Sequence, residues 1–310
     1  MRLSLVLLFS LAASAGAQTP GNPRYTVAET RQGFNKLQDA LDAIGDRQAT
    51  ILIAPGVHRD CGIQQGGRVT FRAIQPGTAV FEGVACEDKA TLVLRGQGST
   101  VDGVVFRGLR VSDGNGAGIR IEQGDLNVVN SMFLDSQEGM LGATDRPTRI
   151  TIDRSTFSGL GQCHESPSCA HSIYLENAGQ ISVTNSRFER GRGGHYVKLR
   201  SPGVVVSDNS FDDVGGTRTN YMIDLSDGST GVISGNTFVQ GPNKENRSAL
   251  ITVAPENRKN SSAGLRIEGN VASLAPGAVG TPAFVANFSG ERLALGANRL
   301  GPRIKAYEER

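Results

Sequence analysis

Three short segments of the chain carry side chains that transfer protons and bind carboxylates. They read HSIY at 171–174, GHYVKLR at 194–200 and YMID at 221–224. Cleavage of a uronic-acid polymer by β-elimination needs a cation for the sugar carboxylate, a base for the C5 proton and an acid for the leaving oxygen. Because arginine grips a carboxylate through two parallel hydrogen bonds, we predict Arg200 as the clamp. Lys198, or else His195, is the predicted base, and Tyr174 is the predicted acid.

Other polar residues of the same segments are predicted to bind the substrate. They are His171, Tyr196, Tyr221, Asp224 and Glu176. Three alternatives stay open. Epimerisation at C5 uses the same residues without bond cleavage, and a hydrolase would use Glu176 and Asp224 as its two carboxylates. In the third, the protein is a surface module in which the cations only attract an anionic carbohydrate, or form exposed ion pairs worth about 0–1 kcal/mol each.

The elements that hold these residues follow from an internal repeat. A strand rich in Val and Ile, a small polar pair and a Phe recur, with the Phe at 133, 157, 188, 211 and 238. Two positions before each Phe stands a Ser or Asn, namely Ser131, Ser155, Ser186, Asn209 and Asn236, with Asn270 in a degenerate last copy. Such a column lets side chains hydrogen-bond from one coil to the next as a ladder.

A second strand precedes each of these copies at a nearly constant distance. Its apolar anchors are Ile119, Leu141, Ile173, Val197, Ile223 and Ile251. The first five lie 14 to 16 residues before their Phe. If the anchors point inward, the next residues point outward and stack as Arg120, Gly142, Tyr174, Lys198, Asp224 and Thr252. Strict alternation turns His171, His195 and Tyr221 inward, but the turn-like segments before the two histidines leave their orientation open.

This repeat predicts an all-β fold, a single-stranded right-handed parallel β-helix. The segment 34–44 has apolar residues at helical spacing, which predicts a short amphipathic helix that caps the first coil. We expect an N-terminal cap at about 25–60, coils at about 61–275 and a C-terminal cap at about 276–310, together one domain at 18–310.

The first 17 residues have the charged start, apolar run and small-residue cleavage site of a secretory signal peptide. We therefore expect a secreted or periplasmic protein. Four cysteines in an exported chain predict two disulfides with three possible pairings, and proximity favours Cys61 with Cys86 and Cys163 with Cys169.

The spaced HxIY and GHxxKxR motifs, with YMID224, Gly235-Asn236 and Gln240-Gly241, resemble a group of exported bacterial right-handed β-helix proteins. The wider class is pectate-lyase-like, and the resemblance covers about residues 30–275. It implies polysaccharide-lyase chemistry through the shared fold. Pectate lyases gather several aspartates around calcium, whereas the outward columns here offer only Glu176 and Asp224. No metal or other cofactor is therefore predicted, and calcium lacks a clear carboxylate cluster.

Composition narrows the remaining partners. The formal net charge is +2 and the basic residues are dispersed, which speaks against nucleic-acid binding. No apolar run has the length of a membrane span. The sequence thus predicts a monomer whose partner is an acidic polysaccharide.

Overall fold

The repeated Val- and Ile-rich segments form short strands that stack into three parallel sheets around one tube. The structure is a computed structural model that describes residues 23–144, 146–165, 168–177 and 179–310. Sheet I contains β1 (Tyr25–Val27), β2 (Gln32–Phe34), β3 (Gln48–Ile53), β6 (Arg68–Ala73), β9 (Gly98–Asp102), β12 (Asp125–Val129), β15 (Arg149–Asp153), β18 (Gln180–Thr184), β21 (Gly203–Ser207), β24 (Thr230–Ser234), β27 (Arg266–Glu268) and β30 (Ala294–Leu295). Only β1 pairs antiparallel, with β2 and β3. The predicted signal peptide lies outside the described residues.

The other two sheets contain ten strands each. Sheet II contains β4 (Gly56–His58), β7 (Ala79–Glu82), β10 (Val104–Arg107), β13 (Met132–Leu134), β16 (Thr156–Ser158), β19 (Arg187–Glu189), β22 (Ser210–Asp212), β25 (Thr237–Gln240), β28 (Val271–Leu274) and β31 (Arg299–Leu300). Sheet III contains β5 (Gly62–Gln64), β8 (Ala90–Leu94), β11 (Ala117–Ile121), β14 (Met140–Thr144), β17 (Ile173–Asn177), β20 (Val197–Arg200), β23 (Ile223–Leu225), β26 (Ala249–Val253), β29 (Ala283–Asn287) and β32 (Lys305–Glu309). The predicted right-handed parallel β-helix is thereby confirmed.

The interior of the tube is a continuous apolar core with a phenylalanine stack along sheet II. Phe133, Phe157 and Phe188 are register partners in consecutive strands, and their ring centroids lie 4.7 and 4.8 Å apart. The polar ladder also forms, as when Ser186 N–H donates to Asn209 Oδ1 at 2.9 Å. Each ladder residue therefore satisfies a buried backbone donor of the preceding coil.

The amphipathic segment forms the cap helix α1 (Leu37–Ile44), which begins three residues later than the predicted pattern because Phe34 belongs to β2. Leu37 and Leu41 are buried, and a side chain at Gly62 in β5 would collide with both. Gln38 on the same helix exchanges two hydrogen bonds with the backbone of Ile63. The helix therefore covers the apolar interior and edge strand of the first coil.

The domain edges differ from the predicted caps. The segment 276–310 was expected to be a C-terminal cap, yet β29, β30, β31 and β32 continue all three sheets through it. At the other end, β3 already pairs parallel with β6 inside the predicted N-terminal cap. Both predicted disulfides, Cys61–Cys86 and Cys163–Cys169, are present. The coils thus occupy more of the chain than the Phe repeat indicated.

Candidate functional site

The outer face of sheet III carries three of the predicted site residues in one column. Tyr174 in β17 is the register partner of Lys198 in β20, which is the partner of Asp224 in β23. Neighbouring strands lie about 4.8 Å apart, so side chains at partner positions stack. The next residue of the column is Thr252 in β26. The structure therefore brings Tyr174, Lys198 and Asp224 together on adjacent coils.

At the start of β20, β23 and β26, two consecutive residues point into the tube. The pairs are Tyr196–Val197, Met222–Ile223 and Leu250–Ile251, all at most 1% exposed. A bend in the backbone interrupts the alternation of inward and outward side chains. The residue before the inward pair therefore faces outward. His171, His195 and Tyr221 occupy that position and stack, with ring centroids 5.0 and 5.5 Å apart. The bend thus turns His171 and His195 toward the outer face of the tube.

The same bend corrects the prediction for Tyr196, which was expected to contact substrate. Its ring lies inside the tube, 6.4 Å from the centroid of Phe188 and 6.5 Å from that of Phe211. Its hydroxyl donates to Asp213 Oδ1 at 2.7 Å. Tyr196 is 1% exposed and is therefore a core residue beneath the site.

Tyr174 lies between two cations. Arg200 Nε donates a hydrogen bond to the tyrosine hydroxyl at 3.0 Å, and Lys198 Nζ lies 5.1 Å from the ring centroid. His171 contacts the same ring edge to face, with centroids 5.4 Å apart. A cation near an aromatic face is attracted to it, and a cationic donor stabilises negative charge on the phenol oxygen. Two cations and an imidazole therefore surround Tyr174.

Three carboxylates surround the two cations, and two of them were missed in the sequence. Arg200 is bonded to both Asp227 and Glu256. Lys198 Nζ donates to Glu256 Oε1 at 2.5 Å and lies 4.0 Å from Asp224. Asp227 and Glu256 follow β23 and β26 in turns, where the strand alternation used for the prediction no longer applies.

Asp224 is the buried acid of the column. Its oxygens accept hydrogen bonds from Ser226 Oγ at 2.7 Å and Thr252 Oγ1 at 2.8 Å, and its Oδ2 lies 3.6 Å from His195 Nε2. Burial raises the pKa of Asp224, although Ser226 and Lys198 act in the opposite direction. The Asp224 side chain is 2% exposed, so little of it is open to solvent.

Glu176 does not pair with Arg200, although the two are register partners. Its carboxylate faces Lys259 at 3.7 Å and its side chain is 46% exposed. Lys259 also lies 3.2 Å from Asp227. Glu176 therefore stands at the solvent edge of the site and pairs with Lys259 rather than with Arg200.

The two stacked histidines are neutral at pH 7. Burial lowers the pKa of His195 to about 3, with further contributions from the charges of Lys198 and Lys244. Burial and the neighbouring His195 hold the pKa of His171 well below its usual value. The backbone N–H of His195 donates to His171 Nδ1 at 2.9 Å, which leaves the ring proton of neutral His171 on Nε2. The ring nitrogen Nε2 of His195 lies 3.6 Å from Asp224 Oδ2.

Glu138 extends the histidine column by one coil and was also missed. It stands two positions before Met140, which is the register partner of Ile173. The side chain is 1% exposed, and its carboxyl group is buried near the backbone N–H of His171. Burial raises the pKa of Glu138 well above its usual value. The predicted anchor Leu141 was one residue too late, which placed Gly139 rather than Glu138 in this column.

A wall formed by the described residues of the segment 158–170 borders the site. The turn before His195 packs against it, since Arg192 N–H donates to Leu160 O at 2.7 Å. Arg110 pairs with Glu165 of the wall at 2.8 Å, and Arg218 NH1 lies 2.8 Å from His164 Nε2. The disulfide between Cys163 and Cys169 closes the loop. His164 is therefore part of the wall and not of the stack.

The part of the chain that the structure describes holds one cluster of potential metal ligands, Cys163, Cys169 and Glu245. Both cysteines form the disulfide, so they are not thiolate ligands. The acids of the site are held by lysine, arginine and hydroxyl donors. Among the described residues, no helix is long and apolar enough to cross a membrane.

Residues 90–272, more than half of the chain, match the family model described as right handed beta helix region. The protein therefore belongs to this family, whose matched region includes the whole candidate site. The chain matches no curated protein and no solved structure. Family membership fixes the scaffold, while the chemistry has to be argued from the site.

Proposed function

We propose that this right-handed β-helix protein is a polysaccharide lyase that cleaves a uronate-containing polymer by β-elimination. One observation carries the proposal: Tyr174 contacts the cations of both Lys198 and Arg200 beside a neutral histidine stack. A phenol, two cations and a neutral imidazole on adjacent coils are the groups that this reaction needs. The two disulfides fit an oxidising compartment, and we place the protein outside the cytoplasm.

Lys198 and Arg200 are assigned to the substrate carboxylate. The Lys198 ammonium group is already paired with two acids, so it serves as a cation more readily than as a base. Arg200 presents a planar guanidinium group beside it, at the edge of the same face. Neutralising the carboxylate lowers the cost of the negative charge that develops at C5 when the proton leaves.

His195 and Tyr174 are assigned to the two proton transfers. Neutral His195 takes the C5 proton, the released electron pair forms the C4–C5 double bond, and the C4–O bond breaks. Tyr174 gives its hydroxyl proton to the departing oxygen, and the resulting phenolate is stabilised by Arg200.

Hydrolysis is less consistent with the same geometry. Glu176 and Asp224 are the carboxylates that a hydrolase would use, but Asp224 is buried beside Lys198 and Glu176 faces Lys259 at the solvent edge. A glycosidase needs one free carboxylate and one protonated acid on opposite sides of the scissile bond. Epimerisation remains the neighbouring chemistry, because it shares the first proton transfer and omits cleavage.

The test is incubation of the purified protein with a panel of uronate polysaccharides while ultraviolet absorbance of an unsaturated product is followed. We expect product from at least one polymer, and a loss of rate of about 10²–10⁴-fold for His195→Ala and for Tyr174→Phe. Binding without product from any polymer would show a carbohydrate-binding module instead. Exchange of the C5 hydrogen with deuterated water in the absence of cleavage would show an epimerase.

A further inference from the structure

The carboxylate of Glu256 lies over the two cations of the site. Lys198 Nζ donates to its Oε1 at 2.5 Å, and Arg200 NH2 donates to its Oε2. The side chain of Glu256 is 40% exposed, whereas those of Lys198 and Arg200 are only 10% and 11% exposed. A single carboxylate, with one oxygen on each cation, thus separates both cations from solvent.

The other acids compensate the cations without Glu256. Asp227 is bonded to Arg200, accepts a hydrogen bond from Asn257 Nδ2 at 3.2 Å, and is 2% exposed. Asp224 lies 4.0 Å from Lys198 and is equally buried. These two carboxylates are held in place by the coils. Departure of Glu256 therefore leaves neither cation without a negative neighbour.

Glu256 can leave without any movement of the coil. Its backbone N–H donates to Ser226 O at 3.1 Å, and that of Asn257 donates to the same oxygen at 3.0 Å. The backbone is therefore anchored on Ser226, directly after β23, while rotation of the exposed side chain suffices to carry the carboxylate into water. Burial raises the pKa of Glu256, but hydrogen bonds from Lys198 and Arg200 outweigh burial and hold it below its usual value. The group is an anion at neutral pH.

We propose that Lys198 and Arg200 form a carboxylate subsite that Glu256 fills in the free protein, and that a uronate carboxylate displaces it. The assignment of the ligand class rests on the proposed function. Glu256 and the incoming sugar carboxylate have the same charge and the same planar pair of oxygens, so they compete for the same donors. The apparent affinity for the polymer is reduced by the fraction of protein in which Glu256 occupies the subsite.

The test compares Glu256→Gln with wild type in binding a uronic-acid trisaccharide by calorimetry. Glu87→Gln is the matched control, because Glu87 also bridges a lysine and an arginine, Lys89 and Arg95, and is 35% exposed. We expect Glu256→Gln to bind about tenfold tighter, and Glu87→Gln to bind as wild type does. Glu256→Asp, one methylene shorter, should fall between them. A neutral trisaccharide of the same length should gain no affinity.

Failure of this inference is separable from failure of the lyase proposal, because binding and ultraviolet product are measured independently. Unchanged or weaker binding by Glu256→Gln, with an unchanged melting temperature, overturns the subsite even if product forms. Tighter binding without product supports the subsite and rejects the lyase. A trisaccharide that none of the variants binds overturns the subsite as well. If Glu256→Gln melts early, the affinity of Glu256→Asp decides, and an affinity no higher than wild type overturns the inference.

Discussion

Two ionic clusters adjoin sheet III and contain similar residues, one at the ends of β8 and β11 and the other on and beside β17, β20, β23 and β26. The N-terminal cluster consists of Glu87, Lys89, Arg95 and Glu122. The site cluster consists of Tyr174, Lys198, Arg200, Asp224, Asp227 and Glu256. Each places a lysine and an arginine between carboxylates. A count of charges along the chain cannot separate them.

Burial and neighbours separate the two clusters. In the N-terminal cluster every side chain is between 21% and 38% exposed. In the site cluster the cations are 10% and 11% exposed, and Asp224 and Asp227 are 2% exposed. The site cluster also contains Tyr174 and adjoins the His171–His195–Tyr221 stack. Similar ion pairs are therefore solvated in one region and desolvated in the other.

The largest expected contrast is in turnover. We expect Lys198→Ala to lower kcat/KM on the uronate substrate about 10²–10³-fold, because it removes a desolvated cation beside the reacting carboxylate. Lys89→Ala should change kcat/KM less than about twofold. Initial rates of ultraviolet product formation measure both. Equal losses in the two variants would mean that the lysines act only through the overall field of the face.

The second contrast is in stability. Asp227→Ala removes a buried partner of Arg200 and should lower the free energy of unfolding by about 1.5–3 kcal/mol. Glu122→Ala in the N-terminal cluster should cost about 0–1 kcal/mol, because Lys89 and Arg95 turn to water and to Glu87. Urea unfolding gives both values. A loss for Glu122→Ala as large as that for Asp227→Ala would erase the distinction between the clusters.

Much of this fold could be predicted because the repeat states its own register. A phenylalanine and a Ser or Asn recur at fixed offsets, and each coil that repeats them places its strands on those of the coil before. Tyr174, Lys198 and Asp224 were aligned correctly for this reason, since alternation within a strand fixes which residue faces out. The central column of the face could therefore be predicted from the sequence.

The misses lie where strand alternation ends. Tyr196 was placed outside because the bend before β20 puts two consecutive residues inside. The predicted anchor Leu141 is one residue later than Met140, the true partner of Ile173. A register error of one residue exchanges the inward and outward faces of a strand, so Glu138 falls outside the predicted column. Asp227 and Glu256 come from turns of variable length, to which the repeat assigns no direction. The acids that hold the cations were thus the least predictable part of the site.

The third contrast is in the sign of a pH effect, with Glu138 at the end of the histidine stack. Arg120, Asp113 and Lys198 are the charged groups near it, and the backbone N–H of His171 hydrogen-bonds to its carboxyl group. Because burial raises its native pKa, the native state keeps a proton that the unfolded chain loses above its ordinary pKa of 4.5. The stability that this proton contributes is fully present below pH 4.5 and is lost as the pH rises through the raised native pKa. Glu138→Gln should therefore match wild type near pH 4.

At pH 7 Glu138→Gln should melt about 2 °C higher, which corresponds to about 1 kcal/mol. Glu122→Gln is the control of opposite sign. Burial raises the pKa of Glu122, yet hydrogen bonds from Arg95 and Lys89 outweigh burial and lower it. Its stabilising contribution is present above the ordinary pKa and is lost as the pH falls, so this variant should melt no higher than wild type at pH 7. A melting temperature that Glu138→Gln lowers at pH 7 would show an ionised Glu138 with a partner.

The smallest contrast is in the response to salt, and it isolates screening from packing. Lys89→Met and Lys198→Met keep most of the side-chain stem and remove the charge, at side chains that are 38% and 10% exposed. At 1 M salt the Debye length falls to about 3 Å, so exposed pairs lose most of their attraction while buried pairs are screened much less. We expect the cost of Lys89→Met to be under about 1 kcal/mol at low salt and to vanish at 1 M.

The loss of stability caused by Lys198→Met should persist at 1 M salt. In this variant Asp224 stays desolvated and has lost the lysine charge beside it. Urea unfolding of both variants and wild type at low salt and at 1 M salt gives the four differences. If salt reduces the loss of unfolding free energy equally in both variants, Lys198 lies in the same solvated environment as Lys89. The reason for assigning chemistry to the site cluster alone would then be lost.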